Sequence, residues 1–189
     1  MINQDYFTDG KKDGLIYCSL DKLTPSHFRR LSSIEEIIIH CTATPPKAYK
    51  NWDDPRTLIN YDLGPNHIAR SGLASATYHF YINRKSEVFQ LVSMGIITAH
   101  CKGHNAGGVA ICINHDGFTD DVTEEMKNAI AETCAYIFDK LDWSYDEENV
   151  KDCISFHRNF APKACPGRID LEDIQKRTFN ILKTYGDNN

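Results

Sequence analysis

A single α/β domain, with a central mixed β-sheet flanked by helices, is expected from three observations. The first is a short β-branched run, "EEIIIHCT" (35–42), closed by "ATPP". An apolar run of that length ended by turn residues marks a buried strand. The second is a series of further extended segments separated by polar and glycine-rich stretches. The third is a pair of amphipathic helical patterns in the C-terminal third. Strands interleaved with helices bury their apolar faces as a sheet covered by helices. The 189 residues suffice for one compact core.

Residues 1–33 have weak periodicity and are expected to form an N-terminal extension packed on a domain spanning 34–189. After the first strand, residues 45–76 are rich in Pro, Asn, Asp and Gly, with one short helix expected around Thr57 to Tyr61. "ATYHFYIN" and "RKSEVFQLV" read as a hairpin turning at Arg84, Lys85 and Ser86. "GGVAICIN" (107–114) is a further strand. "TEEMKNAIAETCAYIFDKLDW" is the clearest helix, with Thr123 as N-cap, Glu124 and Glu125 in the first turn, and Met126, Ile130, Thr133, Ile137 and Leu141 at helical spacing. "DCISFH" is extended and delivers His157. A last helix starts at Asp170, its N-cap, with Leu171, Ile174, Ile181 and Leu182 on one face.

Composition narrows the function. Apolar residues make up 41% and charged residues 25%, and the net charge is -5 with no long run of one sign. That excludes a polybasic surface for nucleic acid or membranes. The N-terminal "MINQDYFTDGKKDG" lacks the charged start and apolar stretch of a secretory signal, and the longest aliphatic run is Ile37 to Ile39. A monomer, cytoplasmic when synthesised, with no nucleic-acid or membrane partner is therefore expected. Seven scattered cysteines do not read as a disulfide framework; most are expected in the core.

Position separates the eight histidines. His40 ends a buried strand, where ligands of α/β proteins gather. His157 also follows an extended segment, and Cys165 lies in a proline-bounded loop after it. Two imidazoles and a thiolate suit Zn(II), and three protein ligands leave a position for water or substrate. The plainer reading stands beside this one. A histidine at a strand end is more often a hydrogen-bonding residue, a lone cysteine is more often core, and the His157–Cys165 spacing matches no zinc-finger pattern. Lys163 is either a solvated loop lysine or a cation for a developing oxyanion. Tyr78 is either a strand aromatic or a proton donor. His100 and His104, in "AHCKGHNAGG", either line a cleft or are ordinary loop histidines. His79 is expected to face away from Tyr78, since strand side chains alternate.

Four stretches occur in order over residues 35–166: "IIIHCTAT", "ATYHFYINRKSEVFQ", "AHCKGHN…GGVAICI" and "HRNFAPKACP". Together they resemble the type 2 N-acetylmuramoyl-L-alanine amidases, which include phage lysozyme-like endolysins and animal peptidoglycan recognition proteins. The resemblance implies one zinc ion (Zn2+) per chain in a surface groove, held by His40, His157 and Cys165. It also implies Tyr78 and Lys163 as catalytic residues, and peptidoglycan or a muropeptide as substrate, cut between N-acetylmuramic acid and L-alanine. A non-catalytic peptidoglycan-recognition module is the alternative, because some relatives bind without cutting. A structural zinc would need a fourth ligand, His100 or Cys41, and Cys41 is expected to point the other way. The absence of a signal fits a phage-type lysin, a recycling amidase or an exported effector. The segment "DLGPNHIARSG", the Arg-Lys-Ser turn and "CINHDG" depart from the family pattern, which touches the substrate groove and not the expected ligands.

Overall fold

The computed structural model describes residues 11–12, 15–16, 18, 22–67, 69–119 and 121–186. Much of the expected 1–33 extension lies outside the described residues. Its described parts are two short paired strands, β1 (Lys11–Lys12) and β2 (Leu15–Ile16), and two turns of 3-10 helix, Pro25–His27 and Leu31–Ser33. The second part is tied to the body of the protein. Arg29 N donates to the Gly95 carbonyl at 2.9 Å, and Ile97 N donates to the His27 carbonyl at 2.7 Å.

The centre is a five-stranded mixed sheet. In chain order its strands are β3 (Glu36–Cys41), β4 (Phe80–Ile82), β5 (Val88–Gln90), β6 (Gly108–Ile113) and β7 (Ile154–Phe156), arranged β5-β4-β6-β3-β7. The pairs β4–β6, β6–β3 and β3–β7 are parallel; the hairpin pair β4–β5 is antiparallel. Strand β3 lies between two parallel neighbours, which pair both of its edges, and packed clusters cover both faces of the sheet. Ile37, Ile38 and Ile39 are all fully buried. This is why its sequence is a continuous apolar run and not an alternating one.

The helices are α1 (Tyr49–Trp52), α2 (Pro55–Leu63), α3 (Glu124–Leu141), α4 (Glu147–Cys153), α5 (His157–Phe160) and α6 (Leu171–Gly186). Strand alternation divides the core. Ile37, Ile39 and Cys41 join Val109, Ile111 and Ile113 beneath Met126, Ile130, Ile137, Phe138, Ile174 and Leu182 of α3 and α6. On the other face Tyr81, Phe89 and Cys112 pack against Leu58 and Ile59 of α2. His40 falls between Ile39 and Cys41, so it projects toward this second face.

The caps follow the sequence. Thr123 Oγ1 accepts from Met126 N at 3.3 Å, and Asp170 Oδ1 accepts from Glu172 N at 3.0 Å. Helix α2 is longer than expected, because Asp54 caps it through Arg56 N with Pro55 in its first turn. Helix α4 is an addition, capped by Asp146 through Asn149 N at 2.8 Å. Its apolar content is low, so periodicity did not reveal it; only Val150 is fully buried.

Regular pairing in β4 begins at Phe80, so Tyr78 precedes the strand. The His79 carbonyl accepts from both Leu91 N (2.8 Å) and Val92 N (3.5 Å), an irregular start to the hairpin. Strand alternation therefore does not govern Tyr78 and His79 as expected. Tyr78 meets the His40 ring and His79 meets the His100 ring.

Candidate metal centre and active site

His40 is the penultimate residue of β3 and is buried. His157 follows β7 directly, and β7 pairs with β3 in a register that sets Ile39 opposite Phe156. The next residue along each parallel strand is a histidine, so adjacent strand ends deliver His40 and His157 together. Their ring centroids are 4.5 Å apart.

Cys165 comes from the loop after α5, and hydrogen bonds from β3 and from α5 hold that loop in place. Cys41 N donates to Cys165 Sγ at 3.2 Å. Arg158 N donates to the Cys165 carbonyl at 2.9 Å. The Arg158 guanidinium donates to the carbonyls of Gly167 and Ile169. Gly167, at φ 94°, sits against Gly117, where a Cβ would overlap the Gly117 backbone. Glycine is required at that close approach.

The result is one group of ligand atoms. An imidazole nitrogen of His40, an imidazole nitrogen of His157 and the Cys165 sulfur all lie within 4.8 Å of one another. Among the described residues, no other histidine, cysteine or acidic group joins them. His40 Nε2 is 3.2 Å from His100 Nδ1, while His40 Nδ1 is buried with no protein partner. A buried lone pair aimed at nothing is costly unless something occupies the space before it. Two neutral imidazoles and a thiol are a donor set that fits zinc.

Protonation suits that purpose. Burial holds the His40 imidazole well below its ordinary 6.5, and the neighbouring His100, His157 and Lys163 add to the effect. Burial and the Lys163 charge lower His157. Both rings are therefore neutral at pH 7, the ligand form. The neighbouring Cys41 thiol and burial push the Cys165 thiol far up. Without a cation Cys165 stays protonated, so a metal arriving there displaces a proton. Cys41 belongs to the opposite core face, as expected, yet its thiol reaches Cys165 without joining the ligand group.

Tyr78 and Lys163 border the group. The Tyr78 ring centroid is 5.1 Å from that of His40. Burial pushes its phenol well up, with Cys112 and Cys165 adding, so the hydroxyl keeps its proton and is available as a hydrogen-bond donor. Lys163 is exposed, and its charge is felt at both His40 and His157.

The other histidines divide. His104 Nδ1 is 2.7 Å from Glu36 Oε1, and its ring lies 3.8 Å from that of Phe160, which ties α5 to the loop before β6. His27, His67 and His115 make local contacts with Thr24, Ala69 and Gly117 away from the ligand group. Three contributions were not legible in the sequence. His100 stands against His40. Arg29, from the N-terminal segment, donates to the carbonyls of Met94, Asn105, Ala106 and Gly108 and so holds the loop that carries His100. Asp62 is buried under Thr77 N, one residue from Tyr78. The one available signal was Asn105 in "AHCKGHN": its side chain accepts from His100 N and Cys101 N, as asparagine does in turns.

On a five-stranded mixed sheet, two histidines at neighbouring strand ends and a loop cysteine form a group of donors that could hold a metal ion. The family profile of N-acetylmuramoyl-L-alanine amidase matches residues 30–168. The chain therefore belongs to the N-acetylmuramoyl-L-alanine amidases, enzymes of peptidoglycan. The endolysin of Enterobacteria phage K11 is 27% identical over 154 residues, covering 77% of this chain and 87% of the relative. Among solved structures, the Ph2119 endolysin from a Thermus scotoductus bacteriophage superposes with TM-score 0.61 at 15% identity, covering 82% of this chain and 92% of that one. A variant of Drosophila PGRP-LB in complex with tracheal cytotoxin superposes with TM-score 0.61 at 19% identity, covering 78% and 82%. These two likenesses establish the fold, which is the mixed-sheet domain expected.

Proposed function

We propose that the chain hydrolyses the amide between N-acetylmuramic acid and L-alanine as a zinc enzyme of the endolysin type, with His40, His157 and Cys165 as its three ligands. The observation that carries this reading is the convergence of those donors within 4.8 Å, with His40 Nδ1 buried and otherwise unpartnered. When bound, zinc supplies a Lewis acid for the scissile carbonyl and for the attacking water. Lys163 places a cation beside the position where the carbonyl oxygen gains charge. Tyr78, its phenol protonated, donates a hydrogen bond at the reacting centre and relays a proton, giving its own to the departing alanine nitrogen and regaining one from the attacking water. Three ligands in place of four favour a catalytic over a structural metal.

Peptidoglycan or a soluble muropeptide is the substrate class, in line with the endolysin relatives and with the PGRP-LB complex with tracheal cytotoxin. Among the described residues no helix is long and apolar enough to cross a membrane.

The test pairs metal content with chemistry. Wild type and Cys165→Ser are assayed for zinc by plasma emission and for new L-alanine amino termini released from purified peptidoglycan. One zinc per chain with cleavage, both lost in the variant, is the expected outcome. Full cleavage by zinc-free protein would sink the proposal. Zinc without cleavage of either substrate would move the reading to peptidoglycan recognition alone.

A further inference from the structure

We infer that His100 is a positioning residue whose Nδ1 accepts a hydrogen bond from His40 Nε2–H, fixing His40 in the tautomer that presents its Nδ1 lone pair to the metal. This rests on the metal site proposed above and goes beyond it, since His100 is not among the ligands.

The argument starts from a count of protons. His40 and His100 are both buried, and their facing nitrogens are 3.2 Å apart with rings nearly perpendicular at 88°. Two neutral imidazoles facing each other share one proton in that contact. In one arrangement His40 carries the proton on Nε2 and keeps a bare Nδ1. In the other, His100 donates, and His40 must carry its proton on Nδ1. That atom is buried with no acceptor, and an N–H there would be stranded. It would also face away from metal binding, because a protonated nitrogen has no lone pair to give. In the first arrangement His100 carries its own proton on Nε2, which is buried without a hydrogen-bond partner, so each arrangement strands one N–H; the metal selects the first, because only there does His40 keep a bare Nδ1 for it.

The surroundings hold His100 for this task. Asn105 Oδ1 accepts from the backbone of His100 and Cys101 at 3.0 and 2.7 Å, fixing the turn. Gly108 makes room for the ring; a Cβ there would come within 2.9 Å of His100 Cε1. Behind it, His79 Nδ1 accepts from Ala110 N at 3.0 Å, so its proton sits on Nε2, where the Ile96 carbonyl accepts at 2.9 Å. The His79 ring is thereby fixed edge-on to His100 at 6.2 Å. Outer partners of metal-bound histidines orient the ring and choose its tautomer in this way.

The test compares two side chains of nearly equal size. His100→Asn keeps an acceptor near the place of Nδ1, whereas His100→Leu keeps the bulk and removes it. Zinc affinity is measured by competition with a chromophoric chelator. His100→Leu is expected to bind roughly 10–100-fold more weakly, and His100→Asn within about threefold of wild type. Equal weakening in both variants, or none in either, overturns the inference while leaving the zinc site intact. A wild type that binds no zinc overturns both. In case His100→Leu fails to fold, long-range 1H–15N correlation on zinc-loaded wild type reads the tautomer directly. A proton on His40 Nε2, with Nδ1 metal-bound, is expected; the reverse assignment overturns the inference.

Discussion

At the scale of single residues, each group in the site has a separable task. Cys165 supplies the only sulfur in the ligand group, so Cys165→Ser should lose zinc and cleavage together. Lys163 is exposed and outside the ligand group, so Lys163→Ala should keep its zinc and lower kcat by roughly 10²-fold, as loss of one oxyanion-stabilising group does. Plasma emission and kcat on the same preparations check both outcomes. A Lys163→Ala protein with unchanged kcat would return Lys163 to the status of a solvated loop residue. His40 and Cys165 could be singled out from the sequence because their positions, a strand end and a proline-bounded loop, are local features. For His100 the sequence offers a cleft residue or a possible fourth ligand, but not its contact with His40, because nothing along the chain brings residue 100 to residue 40. That contact exists because β3 and β6 are parallel neighbours and Gly108 begins β6 beside the His100 loop.

At the scale of elements, the placement of the ligands depends on two junctions. One is the β7–α5 junction, which turns at His157 without an intervening loop. The other is the loop 161–167, whose return against Gly117 sets the position of Cys165. Gly167→Ala should displace this loop, because its Cβ would overlap the Gly117 backbone and its φ of 94° disfavours any side chain. Lower Tm and weaker zinc binding are both expected; a variant with wild-type zinc affinity would show that the loop tolerates the shift. Helix α3 offers a control remote from the site. Thr123→Ala removes its cap and should cost about 1 kcal/mol in a denaturant titration, with no change in zinc content. The major helices and strand β3 were legible because their apolar spacing is long and regular. Helices α4 and α5 were not, because they are short and their boundaries are set by capping and tertiary contact.

At the scale of the whole molecule, buried titratable groups set the response to pH. Burial raises the Asp62 carboxyl from 3.8 to about 6. A folded-state pKa above the unfolded one means that folding favours the protonated acid. Stability from this group is full below about pH 4, falls as pH rises toward about 6, and is level above, a difference of about 3 kcal/mol. The buried imidazoles act in the opposite sense. His40, His79 and His100 are all lowered, mainly by burial, so stability is lost as pH falls below their ordinary 6.5. Asp62→Asn isolates the carboxyl, since its amide oxygen still accepts from Thr77 N. Relative to wild type, the variant should gain stability between about pH 4 and 6 and hold that gain above, in Tm measured across pH. A constant difference at all pH values would show that Asp62 titrates normally in the folded protein.

Local patterns along the chain are enough to set the architecture and to name the candidate reactive side chains. Apolar periodicity selects strands and helices through burial, and a strand end followed by turn residues marks where polar groups leave the core. The order of "IIIHCTAT", "ATYHFYINRKSEVFQ", "AHCKGHN" and "HRNFAPKACP" added the family. Which polar groups meet is settled by the assembled fold. The pairing of His40 with His100, the neutrality of His40 and the reach of Arg29 into the His100 loop depend on strand order and burial. Those are long-range properties. A hydrogen bond between residues 60 positions apart is set by how the sheet is assembled, and no local pattern of side chains encodes it.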